Sequence, residues 1–306
     1  MRTEDTGAGA GRPPAPPEER RRGLRERAEL ASSRVPFTVK LAIVWLVIFT
    51  VVGVLFAAAG FDLPWMREHF SFIALGLPWT IIICVLAIAL AIVLALLGAL
   101  GRLSHNPIAH GVSGFYTSFF RGTPLIVQMF LIFLALPELA PEGSDWLRER
   151  LTLTVMQSGI IALGLNYGAY MTEIFRAGIQ SVGHGQIEAA EALGMTYRQR
   201  MRRVVLPQAL RVIIPPTGNE FIAMMKDSAL VSLLGSVVSQ MEIFRRAQLL
   251  GRADFRPLEA FILAAAMYWA LTTVFQFFQG RLERRIGKGY VRGTSMPGGQ
   301  PGLVRH

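Results

Sequence analysis

Long apolar runs separated by short polar segments dominate this chain. Six stretches are close to continuously apolar: 39–59, 72–100, 119–139, 153–172, 209–239 and 258–279. A helix of about 20 such residues matches the roughly 30 Å hydrocarbon thickness of a bilayer. Backbone groups facing lipid must be satisfied within the segment, which isolated strands cannot do. The pattern therefore predicts an all-α, polytopic integral membrane protein with six spans. The fifth run departs most from pure hydrophobicity, because Asn219, Glu220, Lys226, Asp227 and Ser228 interrupt it.

Composition agrees with that reading and charge refines it. Of 306 residues, 52% are hydrophobic and only 17% charged, against about 25% charged in ordinary soluble domains. A net charge of +10 would in a soluble protein suggest nucleic acid. Here it reads as basic residues held on the cytoplasmic side of a membrane, and no nucleic-acid partner is expected. Lys and Arg concentrate in residues 1–36, in 173–208 and after 280, which places both termini in the cytoplasm of a multi-pass plasma or inner membrane protein. The segment 241–257 is the exception, with Arg245, Arg246, Arg252 and Arg256 on the predicted outer side. Residues 1–36 hold almost no large apolar side chains and are expected to be a disordered cytoplasmic tail. Residues 37–60 form an additional N-terminal span, 72–285 the main membrane domain, and 286–306 a cytoplasmic C-terminal tail. Ala57-Ala58-Ala59 could mimic a signal-peptidase site, but the apolar region before it is longer than the usual 7–15 residues. Cys84 is the single cysteine, which excludes an intramolecular disulfide or a cysteine metal cluster.

Between the fourth and fifth runs lies an amphipathic segment, Gly178 to Pro207, too long for a simple connection. Gln186–Leu193 are good helix formers, and Gly194 follows where a helix can end in a left-handed cap. Thr196 with Gln199 forms a capping box that starts a second helix, and Pro207 is expected to end or kink it. Local chemistry thus predicts two short helices joined by a glycine turn. By periodicity alone, an interfacial pair lying on lipid headgroups fits as well as a docking element.

Glu188-Ala189-Ala190, Gly194, and Val204-Val205-Leu206-Pro207 resemble, at matching spacing, the coupling motif of binding-protein-dependent ABC permeases. Arg121-Gly122-Thr123-Pro124-Leu125 with Gln128, Gly168-Ala169-Tyr170, Glu173-Ile174-Phe175-Arg176, Pro215-Pro216, Asn219 and Lys226-Asp227-Ser228 are similar to the narrower polar amino acid permeases (the histidine/glutamine/arginine/glutamate type). Ser228-Ala229-Leu230 departs from that family's usual Thr-Ser-Leu. The resemblance spans about Gly76 to Arg285 and implies the type I ABC importer transmembrane fold, with five core helices plus one. It implies these partners: two ABC ATPases, a second permease that is identical or paralogous, an extracytoplasmic solute-binding protein, the bilayer, and a polar amino acid substrate. It also implies that Glu188, Ala189, Ala190, Gly194, Val204, Leu206 and Pro207 meet the ATPase. No Gly-x-x-x-x-Gly-Lys-Ser/Thr loop occurs, so this chain is expected to bind no cofactor, ATP being used by the partner subunit. No catalytic or metal constellation is visible, which argues against an enzyme; a gradient-driven transporter would lack the ATPase dock.

Candidate pathway residues come from polar groups inside the spans, where ionisable side chains are costly and usually face a cavity. Asn166, Tyr170 and Glu173 are spaced to share one side of a helix. Gly164 and Gly168 form a small-xxx-small pair for close helix approach. Arg121, Gly122, Thr123 and Gln128 sit at the third run. Pro215-Pro216 is expected to break the fifth helix beside Asn219, Glu220, Lys226, Asp227 and Ser228. Lys226 or Arg121 is expected to meet a substrate carboxylate, and Glu220 or Asp227 an ammonium group.

Overall fold

A computed structural model describes residues 36–58, 60–235 and 240–286. The expected tails fall almost wholly outside these. The chain divides into two compact units, 1–62 and 63–306. The described part of the first is one helix, α1 (Phe37–Ala58), apolar along its length with Trp45 stacked on Phe49.

The second unit contains α2 (Leu63–Ala74), α3 (Leu77–Leu103), α4 (Pro107–Gly122), α5 (Leu125–Phe130, extended by a π-turn over Leu131–Ala135), α6 (Asp145–Leu151), α7 (Val155–Gln180), α8 (His184–Ala192), α9 (Tyr197–Arg200, extended by a π-turn over Met201–Val205), α10 (Leu206–Asp227, ending in a 3₁₀ segment Ser228–Leu234), α11 (Ile243–Ala253) and α12 (Pro257–Ile286). No strand occurs among the described residues. Among the described residues, three helical stretches, 37–54, 63–103 and 257–286, are long and apolar enough to cross a membrane alone; α4 and α5, bent sharply at their junction, pass the same test only when taken together. The 26 residues of α7 and 22 of α10 are long enough at 1.5 Å per residue but carry the polar groups of the candidate pathway.

The predicted run 119–139 is not one straight helix. Pro124 disfavours helical backbone in the residue before it; Thr123 is extended (φ −116°, ψ 146°), and α4 and α5 meet at 109°. The run 72–100 begins as a separate helix, α2, and turns at Leu75-Gly76 before α3. The run 209–239 is α-helical only to Asp227. Pro215-Pro216 does not break α10, which continues through both prolines. Nor does Pro207 end the second of the two short helices. The π-turn Met201–Val205 carries α9 directly into α10, and Pro207 sits in the first turn of α10, where a missing N–H costs nothing.

The core of this unit is a small-residue seam between α3 and α7. Ala87, Ala91, Ala95 and Ala99, spaced by four, are fully buried. Across from them a Cβ on Gly164 would lie 2.6 Å from the Leu90 side chain, and one on Gly168 would lie 3.0 Å from Leu94 Cβ, both on α3. Without competition from water, packing at such seams supplies the association energy. Gly178 likewise admits Ile213 of α10 against α7.

One arginine of the basic segment 241–257 has a structural explanation. Arg246 donates to the carbonyls of Met241 and Phe72, both at 3.2 Å, and its guanidinium lies 5.1 Å over the Phe72 ring. It is a buried staple between α2 and α11 rather than a topology signal.

Candidate coupling surface and substrate pathway

The glycine-jointed pair forms as local chemistry predicts. Gly194 has φ +71°; its N–H donates to Glu191 O at 2.9 Å, and the Met195 N–H donates to Ala190 O at 3.1 Å. Those two bonds are a Schellman cap, closing the orphan carbonyls of α8. Thr196 and Gln199 form the reciprocal capping box at the start of α9. Arg200 pairs with Glu191 across the turn, locking the angle between the helices.

One side of this pair is anchored. Val182, Val205, Ala209 and Ile213 are buried, with Ile174, Phe175, Ile179, Ile187 and Met201 packed around them. The segment is therefore fastened to the ends of α7 and α10. Ala190 belongs to this inner side, at 3% exposure. Glu188, Ala189, Gly194 and Pro207 are exposed on the other, while Val204 and Leu206 are half-buried. Leu193 and Tyr197, at 76% and 66% exposure, flank Gly194 as large apolar side chains in the open. Sequence reading missed both; their only signal was position beside the glycine turn.

The break between α4 and α5 is tied by two of the predicted residues. Gln128 Nε2 donates to Phe120 O at 2.9 Å, Thr123 O at 3.0 Å and Thr123 Oγ1 at 2.7 Å. Asn166 Nδ2 donates to Phe120 O at 3.0 Å and Gln128 Oε1 at 3.1 Å. Both amides are buried and serve carbonyls that the end of α4 leaves unpaired. Gly122 lies exposed at the bend.

Beside this elbow is a charged cluster. The Arg121 guanidinium lies 5.3 Å from the centre of the Tyr170 ring, and its charge reaches Glu220. Tyr167, one turn before Tyr170 on α7, donates its hydroxyl to Asp227 at 2.8 Å. Glu220 and Asp227 lie seven residues apart, hence on one face of α10. Arg121, Tyr167, Tyr170, Glu220 and Asp227 therefore converge from three helices, and Tyr167 is the member that sequence reading omitted.

The remaining candidates lie elsewhere. Lys226 is exposed and one residue, or 100°, away from the Asp227 face. Ser228 is buried and donates to Met225 O. Asn219 accepts from Gln279 at 2.9 Å, and the same amide donates to Pro215 O at 3.1 Å, so this pair joins α10 to α12. Glu173 accepts from Arg176 at 2.8 Å and lies 3.6 Å from Arg102, an ionic knot near the coupling segment.

A buried carboxylate, not among the candidates read from the sequence, lies outside the spanning helices. Glu242 caps α11, accepting from the N–H groups of Phe244 and Arg245, both at 2.6 Å, and from Tyr268 of α12 at 2.7 Å. Burial pushes its carboxyl up to about 7, against those hydrogen bonds and the nearby Arg245. It borders a cavity of about 310 Å³ with Thr154, Gln240 and Phe133.

A family model described as "Binding-protein-dependent transport system inner membrane component" matches residues 87–288. The chain is 38% identical to the probable amino-acid permease protein YxeN of Bacillus subtilis over 229 residues, which cover 75% of this chain and 97% of that protein. It is 38% identical over 218 residues to the arginine transport system permease protein ArgU of Corynebacterium glutamicum, covering 70% of this chain and 67% of that one. Among solved structures, an amino acid ABC transporter with histidines aligns with a TM-score of 0.65 at 35% identity, covering 74% of this chain and 99% of its own. A methionine ABC transporter in an inward-facing form aligns with a TM-score of 0.57 at 17% identity, a likeness of fold alone.

Proposed function

This chain belongs to the family of binding-protein-dependent transport system inner membrane components, and we propose that it forms the translocation path of an importer for polar amino acids. Membership makes it a multi-pass membrane component of a transport system, not an enzyme. The names of its relatives support the amino-acid assignment: a probable amino-acid permease, an arginine permease and an L-cystine permease, the last of them 38% identical over 233 residues.

The observation that carries the coupling half of this reading is the two-sidedness of the 183–207 segment. Its inner side is packed onto α7 and α10, while Glu188, Ala189, Leu193, Gly194 and Tyr197 stand open. A surface both exposed and rigidly joined to the spans is what a force-transmitting contact requires. In this proposal the termini and this segment face the cytoplasm, an ATPase dimer grips the exposed side, and a second permease completes the path. ATP is bound and hydrolysed by the ATPase partner. A solute-binding protein delivers substrate outside, and ATP with the loaded binding protein favours the outward-open state. Arg121 with Glu220 and Asp227 then receives the amino acid within the membrane, the guanidinium on its carboxylate and an acidic side chain on its ammonium.

The test is reconstitution. The chain purified in mild detergent with its ATPase and binding protein should drive ATP-dependent uptake of a labelled amino acid into proteoliposomes. Transport without the ATPase, or cross-links placing Gly194 on the outer face, would overturn the proposal.

A further inference from the structure

A groove of about 300 Å³ opens where α10 and α12 meet, with Ile88 of α3 in its lining. It is separate from the charged cluster described above. Gly218 and Ile222 line it, two residues to either side of Glu220 and so about 160° around α10 from that carboxylate. Ile214, Phe221 and Ile222 supply the apolar wall on α10, and Phe275, Phe278 and Leu282 the wall on α12. Phe221 and Phe275 meet edge to face, ring centres 5.3 Å apart. Phe278 and Leu282 stay 61% and 48% exposed, so the groove is open to its surroundings and not part of the core.

Toward the end of α12 the lining turns polar, with Thr217, Gln279 and Glu283. Gln279 Nε2 donates to Pro215 O at 3.1 Å, Asn219 Oδ1 at 2.9 Å and Glu283 Oε1 at 2.8 Å. Three acceptors around that nitrogen fix which way the amide faces, and its Oε1 is left without a donor. Thr217 Oγ1 likewise finds no partner among the described residues. Buried polar atoms are nearly always paired, so the groove holds a polar end that the chain does not complete by itself. Arg285 follows Phe278 by seven residues, two turns, and so stands on the same face of α12 beyond the groove. Arg281 is turned away, its guanidinium 4.5 Å over the Phe277 ring.

We propose that this groove binds a phospholipid with a primary ammonium headgroup, phosphatidylethanolamine, drawn from the cytoplasmic leaflet. Apolar walls of this length suit a hydrocarbon chain, and about 300 Å³ is at the small end for ligand pockets, room for one acyl chain. The headgroup matches the polar end charge for charge. Its ammonium donates to Glu283 and to Gln279 Oε1, and its phosphate accepts from Arg285, both as charge-assisted hydrogen bonds. The leaflet rests on the orientation proposed above, which sets the basic end of α12 at the cytoplasmic face; the groove and its headgroup preference do not.

The experiment uses the assembled permease–ATPase complex, stripped of lipid in mild detergent and titrated with phosphatidylethanolamine, phosphatidylcholine or phosphatidylglycerol of identical acyl chains. Native mass spectrometry counts the lipid retained. Detergent has no leaflets, so the outcome is independent of which way the chain crosses the membrane. Phosphatidylethanolamine should bind about tenfold or more tighter than phosphatidylcholine, whose quaternary nitrogen has no N–H; that is the ratio one charge-assisted hydrogen bond supplies. Phosphatidylglycerol should also bind more weakly. Glu283→Gln should bring the ethanolamine and choline lipids to nearly equal affinity, and Glu283→Asp should keep the preference. Arg285→Gln should weaken all three without changing their order. Ile88→Trp, which fills the groove, should abolish retention with the ATPase still bound. Equal binding of the three lipids by the unaltered complex would overturn the headgroup assignment, and a preference that survives Glu283→Gln would overturn the role of Glu283. Retention undiminished in Ile88→Trp would place the lipid elsewhere. A Leu282→Cys chain that cross-links to a second copy, with no lipid retained, would give the groove to the permease pair and overturn the proposal.

Discussion

The side-chain amide of Asn166 on α7 donates to Gln128 Oε1 on α5 at 3.1 Å. That bond crosses the point where the chain turns through 109° between α4 and α5, and both amides also hold the Phe120 carbonyl. The elbow is a sharp break made tolerable by internal polar partners, as non-helical backbone at membrane depth requires. It also fixes Arg121, three residues before Pro124, beside Tyr170.

Replacing Asn166 with Leu should therefore cost about 1–3 kcal/mol by stranding buried polar groups. Gln128→Leu should cost more, because three donations vanish together. Thermal unfolding in detergent measures both. Equal stability of Gln128→Leu and the unaltered chain would show that the elbow stands without its ties.

At Gly194 a new Cβ would meet nothing within 4 Å, so the cost of substitution is backbone strain at φ +71°, about 1–2 kcal/mol, plus bulk on an exposed surface. Gly194→Ala adds strain with little bulk; Gly194→Leu adds both. Membrane abundance should stay similar in the two. ATPase retained on affinity purification should fall at least several-fold further in Gly194→Leu. Identical retention in both variants would mean that strain alone matters there.

Glu242 makes stability pH-dependent. Its carboxyl titrates at about 7 in the folded chain and 4.5 as a model group. Between those values the unfolded chain has released its proton and the folded chain has not, so stability falls as pH rises from about 4.5 to 7 and then levels. The thermal midpoint of the unaltered chain should decline across that window, and Glu242→Gln should flatten the decline. A Gln variant with the same slope would assign the pH dependence to other groups.

Gly76 meets the same region from α3. Its Cβ would lie 2.5 Å from Ile243 N and 2.7 Å from Glu242 C, both backbone atoms, so no side-chain rotation relieves the clash. Gly76→Ala should destabilise by about 1–3 kcal/mol, the usual cost of overpacking. A melting temperature unchanged by Gly76→Ala would show that the approach of α11 to α3 is adjustable.

Much of this molecule was legible in residue order because its determinants are local. Apolar runs mark helices wherever lipid is the solvent. The Gly194 turn and the Thr196–Gln199 box are decided within a few residues, and both form as read. Gly164 and Gly168 were legible as one half of the seam with α3; its alanine half was lost in a run where nearly every residue is apolar. Pro215-Pro216 and Pro207 misled for a related reason. Proline's local cost is readable, but whether a helix ends there depends on what absorbs it: the π-turn at Met201–Val205, and the Gln279 bonds to Pro215 and Asn219.

Sequence alone determined that this chain crosses a membrane as helices, that it carries a glycine-jointed segment between two spans, and which family pattern it follows. Only the tertiary structure decided which polar residues are ties between helices. Asn166 and Gln128 looked as available as Arg121 and Glu220, yet packing turns the first pair onto backbone carbonyls and leaves the Arg121 guanidinium over the Tyr170 ring. Tyr167 and Glu242 gained their roles only through partners on helices 60 and 26 residues away. Hydrogen-bond satisfaction is a property of neighbours in space, and for most of these groups the neighbour lies on another helix.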